Sequence, residues 1–317
     1  MNYVGLDIGG TKCAVTLGRG EGKPEILMRS EFPTKEADWR GVLEKFCEEI
    51  RKISFQYDLS AIGISCGGPL DSINGIIQSP PNLIGWDNIP VVSYFSDQFS
   101  VPVQLQNDAN ACAYAEWKYG AGQGLKNMVF LTFGTGLGAG LILDGRLYRG
   151  TNDNAGEAGH IRLERSGPQG YGKAGSFEGF CSGQGIARLG KEFAFRQMRQ
   201  GKIPEVVKYA GGADRLTAKI LAEFAENGDV FSRKVYRSSG EKLGKGLAVI
   251  IDLLNPEAII MGGVYMRSKD LLYPHMMRVL RKECLPQSLE VCRILPALLG
   301  ENIGDYAALS IAQSLCV

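Results

Sequence analysis

The sequence predicts an α/β protein built as two lobes, and three observations carry that expectation. The chain has 317 residues, beyond the size at which one hydrophobic core usually stops growing. A strand, a tight glycine turn and a second strand occur near residue 8, as YVGLDI and CAVTL, and again near residue 135, as MVFLTF and GAGLIL. Amphipathic helical patterns follow each pair. Two similar halves facing one another would place both turns on one cleft; two unrelated hairpins is the other reading of the same repeat.

In chain order, residues 3 to 8, 13 to 17, 61 to 66 and 103 to 105 read as strands of a first sheet. Helices fill 40 to 55 and 109 to 119. A second set opens with strands at 128 to 133 and 138 to 143, followed by helices at 185 to 199, 214 to 226 and 230 to 254. Asn255-Pro256 stops the last of these. AIIMGG is a short buried strand, and helices near 268 to 282 and 303 to 314 close the chain. Glycine clusters at the ends of apolar runs, in DIGGTK, SCGGPLD, FGTGLGAG and IIMGG, where it frees the backbone to turn tightly or to let a ligand approach.

Composition narrows the function classes. Lys plus Arg balance Asp plus Glu at 35 to 34, so no basic surplus points to nucleic acid. MNYVGLDIGG has no basic segment ahead of an apolar one, and no run approaches the roughly 18 apolar residues of a membrane span, so neither a signal peptide nor a membrane partner is expected. The eight cysteines are scattered, form no C-x-x-C pair and sit mostly in apolar contexts, which suits a reducing cytoplasm.

Four motifs carry chemistry. In D-I-G-G-T-K, Gly9 and Gly10 expose consecutive N–H groups, a nest suited to phosphate oxygens. Thr11 and Lys12 add a hydroxyl and a positive charge, and Asp7 at the strand end would hold a hydrated Mg²⁺. A plain hairpin with a turn-forming aspartate is the alternative. FGTGLGAG, with Gly134, Thr135 and Gly136, offers a second nest or a second simple turn; two nests favour a nucleotide with several phosphates. In QNDANA, Asp108 stands at a strand-to-helix corner, either as the cap of the helix or as a general base toward a substrate hydroxyl. Asn82, Asn107, Glu157, His160 and Glu178 make a set of amide, carboxylate and imidazole groups that suits sugar hydroxyls, each of which both donates and accepts. A structural histidine is the other reading of His160.

Taken in order, DIGGTK, CGGPLD, QNDANA, FGTGLGAG, GEAGH and MGG resemble the ROK family of bacterial sugar kinases and sugar-responsive repressors, from Met1 to GENIGDYAALSIA. The resemblance implies the actin-like, ribonuclease H-like ATPase fold, with two α/β lobes and the active site in the cleft between them. It implies a first lobe of residues 1 to 118, joined by the C-terminal helix 303 to 317, and a second lobe of residues 119 to 302. It also implies ATP and Mg²⁺ as cofactors, a small sugar as partner and a homodimer.

By the same resemblance, Asp7, Gly9, Gly10, Thr11 and Lys12 match the first phosphate loop, and Gly134, Thr135 and Gly136 the second. Gly262 and Gly263 match the adenosine turn, although Val264 and Tyr265 depart from its more glycine-rich form. Asp108 matches the catalytic base with Asn107 beside it on the sugar. Gly68 and Asn82 correspond to loops closing over the sugar, and Glu157, His160 and Glu178 to the groups that ligate it.

One stretch departs from the family. After G-H the family continues to C-x-C-G-x-x-G-C-x-E, where three thiolates and the histidine close a structural zinc site. Here Gln169, Tyr171 and Ser176 stand where those cysteines would be, and Cys181 does not restore the spacing. No structural zinc is therefore expected, and His160 is expected to face sugar. Expected overall is an ATP-dependent, glucokinase-like sugar kinase acting on a hexose 6-hydroxyl. The alternatives are a regulator, for which the six residues ahead of Asp7 leave no room for a DNA-binding domain, and an inactive sugar-binding protein.

Overall fold

The computed structural model describes residues 1–34 and 38–316. The chain runs β1 (Asn2–Ile8), β2 (Lys12–Arg19), β3 (Glu25–Pro33), α1 (Trp39–Ser54), β4 (Leu59–Cys66), a small hairpin of β5 (Leu70–Asp71) and β6 (Ile76–Ile77), α2 (Val91–Phe99), β7 (Val103–Asn107) and α3 (Asp108–Tyr119). Then come β8 (Met128–Phe133), β9 (Leu137–Leu143), β10 (Arg146–Tyr148), a hairpin of β11 (Gln169–Gly170) and β12 (Lys173–Ala174), α4 (Phe177–Cys181), α5 (Gly183–Met198), α6 (Glu205–Ala210) and α7 (Ala218–Glu226). The chain ends with α8 (Val230–Leu254), β13 (Ala258–Met261), α9 (Val264–Glu283), α10 (Pro286–Val291), β14 (Arg293–Pro296) and α11 (Ile303–Gln313).

Two compact units divide these elements. The first is Met1–Lys126 with Gly140–Ala155 and Ala297–Val317; the second is Asn127–Ala139 with Gly156–Pro296. The first unit therefore extends past the expected end at residue 118, and takes in 140–155 and 297–302 as well. Buried Glu116 near the end of α3 is one physical reason: its carboxylate accepts the backbone N–H groups of Ala121 at 2.8 Å, Leu298 at 3.2 Å and Leu299 at 2.8 Å. Ser72 in the β5–β6 hairpin is the other: its N–H and hydroxyl donate to Asp153 at 2.7 and 2.8 Å, and Arg149 donates to its hydroxyl at 2.6 Å. Val317 of the expected helix 303 to 317 lies outside the described residues.

In the first unit the strand order is β3-β2-β1-β4-β7, antiparallel from β3 to β1 and parallel from β1 to β7. Period-two alternation sorts β1 onto two faces. Val4, Leu6 and Ile8 point into a core filled by Val42, Leu43, Phe46 and Ile50 of α1 and by Phe95 of α2. Tyr3 points to the opposite face and packs with Leu309 and Ala312 of α11. That helix lies so close that a Cβ on Gly63 of β4 would sit 2.2 Å from the Ala308 carbonyl. Each fully buried leucine or isoleucine in these layers contributes roughly 1.5–3 kcal/mol.

In the second sheet the order is β10-β9-β8-β13-β14, with β13 parallel to both β8 and β14. The long helix α8 is packed by α4, α5, α7 and α9. Small residues at Gly240 and Gly244 allow this, since a Cβ there would meet the carbonyls of Leu272 and Met276 at 2.8 and 2.6 Å.

Local chemistry sets several boundaries away from expectation. The helix expected at 214 to 226 starts at Ala218, because Thr217 caps it by accepting the Ile220 N–H at 3.1 Å. The helix expected near 268 begins at Val264 and is broken at Ser268, whose φ is −125°. Strand β3 and helix α2 have no counterpart in the sequence reading.

Candidate active site

Each unit carries one set of the expected residues. In the first, the β1–β2 turn holds Gly9, Gly10 and Thr11, and the end of β3 clamps it; the Gly9 N–H is not exposed as expected, because it closes the hairpin by donating to Lys12 O at 3.2 Å. Thr34 donates its hydroxyl to Gly9 O at 2.6 Å and its N–H to Thr11 O at 3.0 Å. Asn82 packs on Gly10 so closely that a Cβ there would lie 2.6 Å from Asn82 O. Lys12 is exposed and its ammonium meets Glu31 at 3.0 Å, so the expected phosphate cation has a carboxylate partner of its own.

At the same edge of this sheet, where Ile8, Cys66 and Asn107 lie side by side at the ends of parallel β1, β4 and β7, the last of these strands runs directly into α3. Asn107 caps that helix, its Oδ1 accepting from the N–H groups of Ala109 at 3.0 Å and Asn110 at 3.3 Å. Asp108 is thereby the first helical residue and not the cap, which answers the alternative left open by its position. Its Oδ1 accepts the Ala109 N–H at 2.7 Å, while a Cβ on Gly67 would lie 4.0 Å from its Oδ2. Gly68, joined to Pro69 by a cis peptide, comes within 3.3 Å of Asn107 Nδ2 by the same measure. The structure thus brings the GGP turn, Asn107 and Asp108 together.

Asp7, the last residue but one of β1, lies on the face that α11 covers, and a Cβ on Gly304 at the start of that helix would lie 3.3 Å from its Oδ2. Burial and the charges of Asp108 and Asp305 push the Asp7 carboxyl up to about 6, against the opposing pull of Lys12 and Arg29. Asp108 is open to solvent on one side, yet the protein crowded around it raises its carboxyl above the ordinary value. Two acids that resist joint ionisation leave negative charge that a divalent cation would relieve, so the residues present fit Mg²⁺.

This arrangement costs stability at neutral pH. A carboxyl whose folded pKa is raised favours the fold below its ordinary 3.8, and that contribution is lost as pH rises through about 6. Asp7→Asn is therefore expected to melt higher than wild type above pH 6, by on the order of 1–3 kcal/mol, with the difference shrinking toward pH 4. Melting curves from pH 4 to 8 check this, and equal stability at pH 7.5 would remove the strain from the account.

In the second unit, three segments meet at the β8–β9 turn. Gly134 O accepts the Gly183 N–H at 2.8 Å, which sets the N-terminus of α5 beside the turn. Gly263, at φ 61°, precedes α9 and approaches so closely that a Cβ would lie 2.1 Å from Phe133 O. No side chain among the described residues caps α9, whereas α5 is capped by Ser182, whose hydroxyl accepts the Gly185 N–H at 2.9 Å. Among the described residues nothing lies within 4 Å of a Cβ placed on Gly134, so the space above the turn is open, but the Gly134 N–H is not the free donor expected, since it donates to Gly136 O at 3.0 Å. Thr135 is exposed, and Gly262 donates to Leu131 O at 3.0 Å. The uncapped N-terminus of α9 beside an open glycine turn fits phosphate oxygens.

Glu178 lies on the other side of that turn. Its Oε2 accepts the Leu137 N–H at 3.0 Å, and a Cβ on Gly136 would lie 2.8 Å from the same oxygen. Gly159 packs beside the Glu178 Cβ, so the single turn of 3-10 helix Ala158–His160 is drawn to Glu178. Glu157 precedes that turn, His160 ends it, and both are exposed. Glu157, His160, Glu178 and the second glycine turn therefore belong to one cluster.

Sequence reasoning missed the residues that hold the first cluster. Asp305 accepts from Thr16 at 2.7 Å and from Arg29 Nε at 3.0 Å, while Arg29 also meets Glu31 at 2.7 Å. Arg29, Glu31 and Thr34 lie on or just after β3, whose faces are both partly polar, so no apolar alternation announces it. Gly183 was likewise unexpected, although Ser182-Gly183 ahead of a helical pattern is a capping signal. Among the described residues, no group of three or more His, Cys, Asp and Glu is arranged to hold a metal ion.

Two α/β units of this strand order, each presenting a glycine turn between antiparallel strands, define the actin-like ATPase fold class. Within that class the chain belongs to the ROK family, whose pattern matches residues 3–314. A glucokinase of Thermotoga maritima is 30% identical over 315 residues, covering 99% of this chain and 98% of its own. The crystal structure of a ROK family glucokinase from Streptomyces griseus in complex with glucose and AMPPNP superposes with a TM-score of 0.80 at 30% identity, over 99% of this chain and 100% of the other. A ROK family transcriptional regulator, a homolog of the Escherichia coli MLC protein, superposes with a TM-score of 0.86 at 25% identity, covering 99% of this chain and 78% of its own.

Proposed function

We propose that this protein is an ATP-dependent sugar kinase that phosphorylates a hexose, with the 6-hydroxyl of glucose as the preferred acceptor. The observation that carries the proposal is the state of Asp108: Asn107 takes over the cap, leaving a raised carboxylate with one free oxygen at an open strand-to-helix corner. A base in that position accepts the proton of the attacking hydroxyl. Asn82, Asn107, Glu157, His160 and Glu178 orient the sugar through its hydroxyls, and Gly68 shapes the turn beside Asn107.

The backbone of Gly9, Gly10, Gly134 and Gly136, with Thr11, Lys12 and Thr135, would hold the phosphates, and Gly262 and Gly263 the adenosine. Asp7 would hold hydrated Mg²⁺, which when bound neutralises charge on the phosphates. Similarity to glucokinases over nearly the whole length supports this choice of substrate.

The test is purified protein with Mg-ATP and a panel of glucose, mannose, fructose and N-acetylated hexosamines, following ADP release. Glucose giving the highest kcat/KM is expected. Turnover of a different sugar would reassign the acceptor, and sugar binding without ADP would make the protein an inactive receptor. The likeness to a regulator favours a second reading, sugar-sensing control of transcription. Specific retardation of operator DNA would support it over the kinase. A homodimer in the cytoplasm is proposed on family grounds, and no helix among the described residues is long and apolar enough to cross a membrane.

A further inference from the structure

The segment from Ile161 to Phe177 contains no cysteine, and the side chains where the family resemblance would put thiolates serve local roles. Ser176 caps α4, its hydroxyl accepting the Gly179 N–H at 3.1 Å. Tyr171 stands edge-on to the His160 ring with 6.1 Å between centroids. Gln169 lies in the β11–β12 hairpin, its carbonyl accepting from Arg188. These contacts shape the segment, but a ligand site also needs the segment held against a rigid element.

Glu164 provides that connection. Its carboxylate receives both Lys242 and, at 2.7 Å, Lys245, two ammonium groups presented from neighbouring turns of α8. Hydrogen bonds from Lys242 and then Lys245 pull the Glu164 carboxyl down to about 2, so it stays ionised throughout the physiological range. The hold passes on through the backbone. Leu163 and Glu164 donate their N–H groups to Gly175 O at 2.9 and 3.1 Å, one residue before the Ser176 cap that starts the helix bearing Glu178. Phe177 donates to Ile161 O at 2.8 Å, and its ring packs on Gly246 of the same α8. Lys173 reaches back to His160 O at 2.7 Å.

We propose that Glu164, Lys242 and Lys245 form an ionic staple to α8 that does the structural work a thiolate-bound metal would otherwise do, positioning His160 and Glu178 for the sugar. They are positioning residues, and the inference rests on the sugar-kinase reading. A staple of partly exposed ions is weaker than a thiolate-bound metal and is screened by salt. Sugar affinity is therefore sensitive to ionic strength and insensitive to zinc chelators.

The experiment uses the full chain and glucose as probe. Glu164→Gln is expected to weaken glucose binding about 5-fold, measured by calorimetry without nucleotide, with kcat and the KM for ATP within about 2-fold of wild type. Wild-type glucose affinity should fall between about 0.05 and about 0.5 M salt, and that of Glu164→Gln should stay flat. Exchanging the charges, Glu164→Lys with Lys242→Glu, should recover affinity lost by either change alone. Hydrogen exchange of residues 156–178 should quicken in Glu164→Gln and in the milder Lys245→Met, a readout that stands even where activity is lost. Unchanged exchange and glucose affinity in a folded variant would overturn the staple, as would loss of affinity on phenanthroline treatment with stoichiometric zinc in the purified protein. A wild type that neither binds nor phosphorylates any sugar would instead sink the kinase reading, while the exchange measurement would still judge the staple.

Discussion

Asp108→Asn is expected to lower kcat by about 10²–10⁴-fold while leaving the glucose dissociation constant within a few-fold of wild type. The substitution keeps the shape of the side chain and the neighbouring cap, because the α3 N-terminus is capped by Asn107. What it removes is the capacity to take a proton. The raised Asp108 carboxyl also predicts that wild-type kcat/KM rises with pH on the acid side as the base loses its proton, and that this limb disappears in the variant. Stopped-time ADP assays over a pH series check both results, and full activity in Asp108→Asn would exclude the residue from the mechanism.

Glu116→Ala is expected to destabilise the protein by about 2–4 kcal/mol. Glu116 is completely buried and accepts three backbone N–H groups, from Ala121, Leu298 and Leu299. Truncation leaves those donors without their acceptor and opens a cavity. Glu116→Gln keeps one acceptor oxygen and should lose less. Urea denaturation of the two variants measures the difference, and a midpoint for Glu116→Ala equal to wild type would show that the segments after α3 and before α11 hold without this carboxylate.

The parts legible in the sequence were those whose physics is local. YVGLDI, CAVTL and MVFLTF form strands because each is a run of apolar and β-branched residues stopped by glycine, and those runs appear as β1, β2 and β8. Helices α1, α5 and α8 carry long apolar stripes with capping residues Asp38, Ser182 and Asp229 ahead of them. By contrast, β3 shows no alternation because both of its faces are partly polar, and α9 breaks at Ser268 although its sequence continues in a helical pattern.

For the site, the sequence by itself determined the chemistry available: two glycine turns, the acids Asp7 and Asp108, the Glu157, His160 and Glu178 set, and the lack of cysteines between His160 and Glu178. Tertiary structure alone decided how those groups are held. Asn107 rather than Asp108 became the cap because β7 enters α3 at that residue. Asp7 acquired a raised carboxyl first through burial by the fold and then through the charges of Asp108 and Asp305, 101 and 298 positions away in the chain. Glu164 found its two lysines on α8, 78 and 81 residues further on. Hydrogen bonds and charge act over a few ångströms in space without regard to separation along the chain, so a pattern read over neighbouring residues names the groups but not their partners.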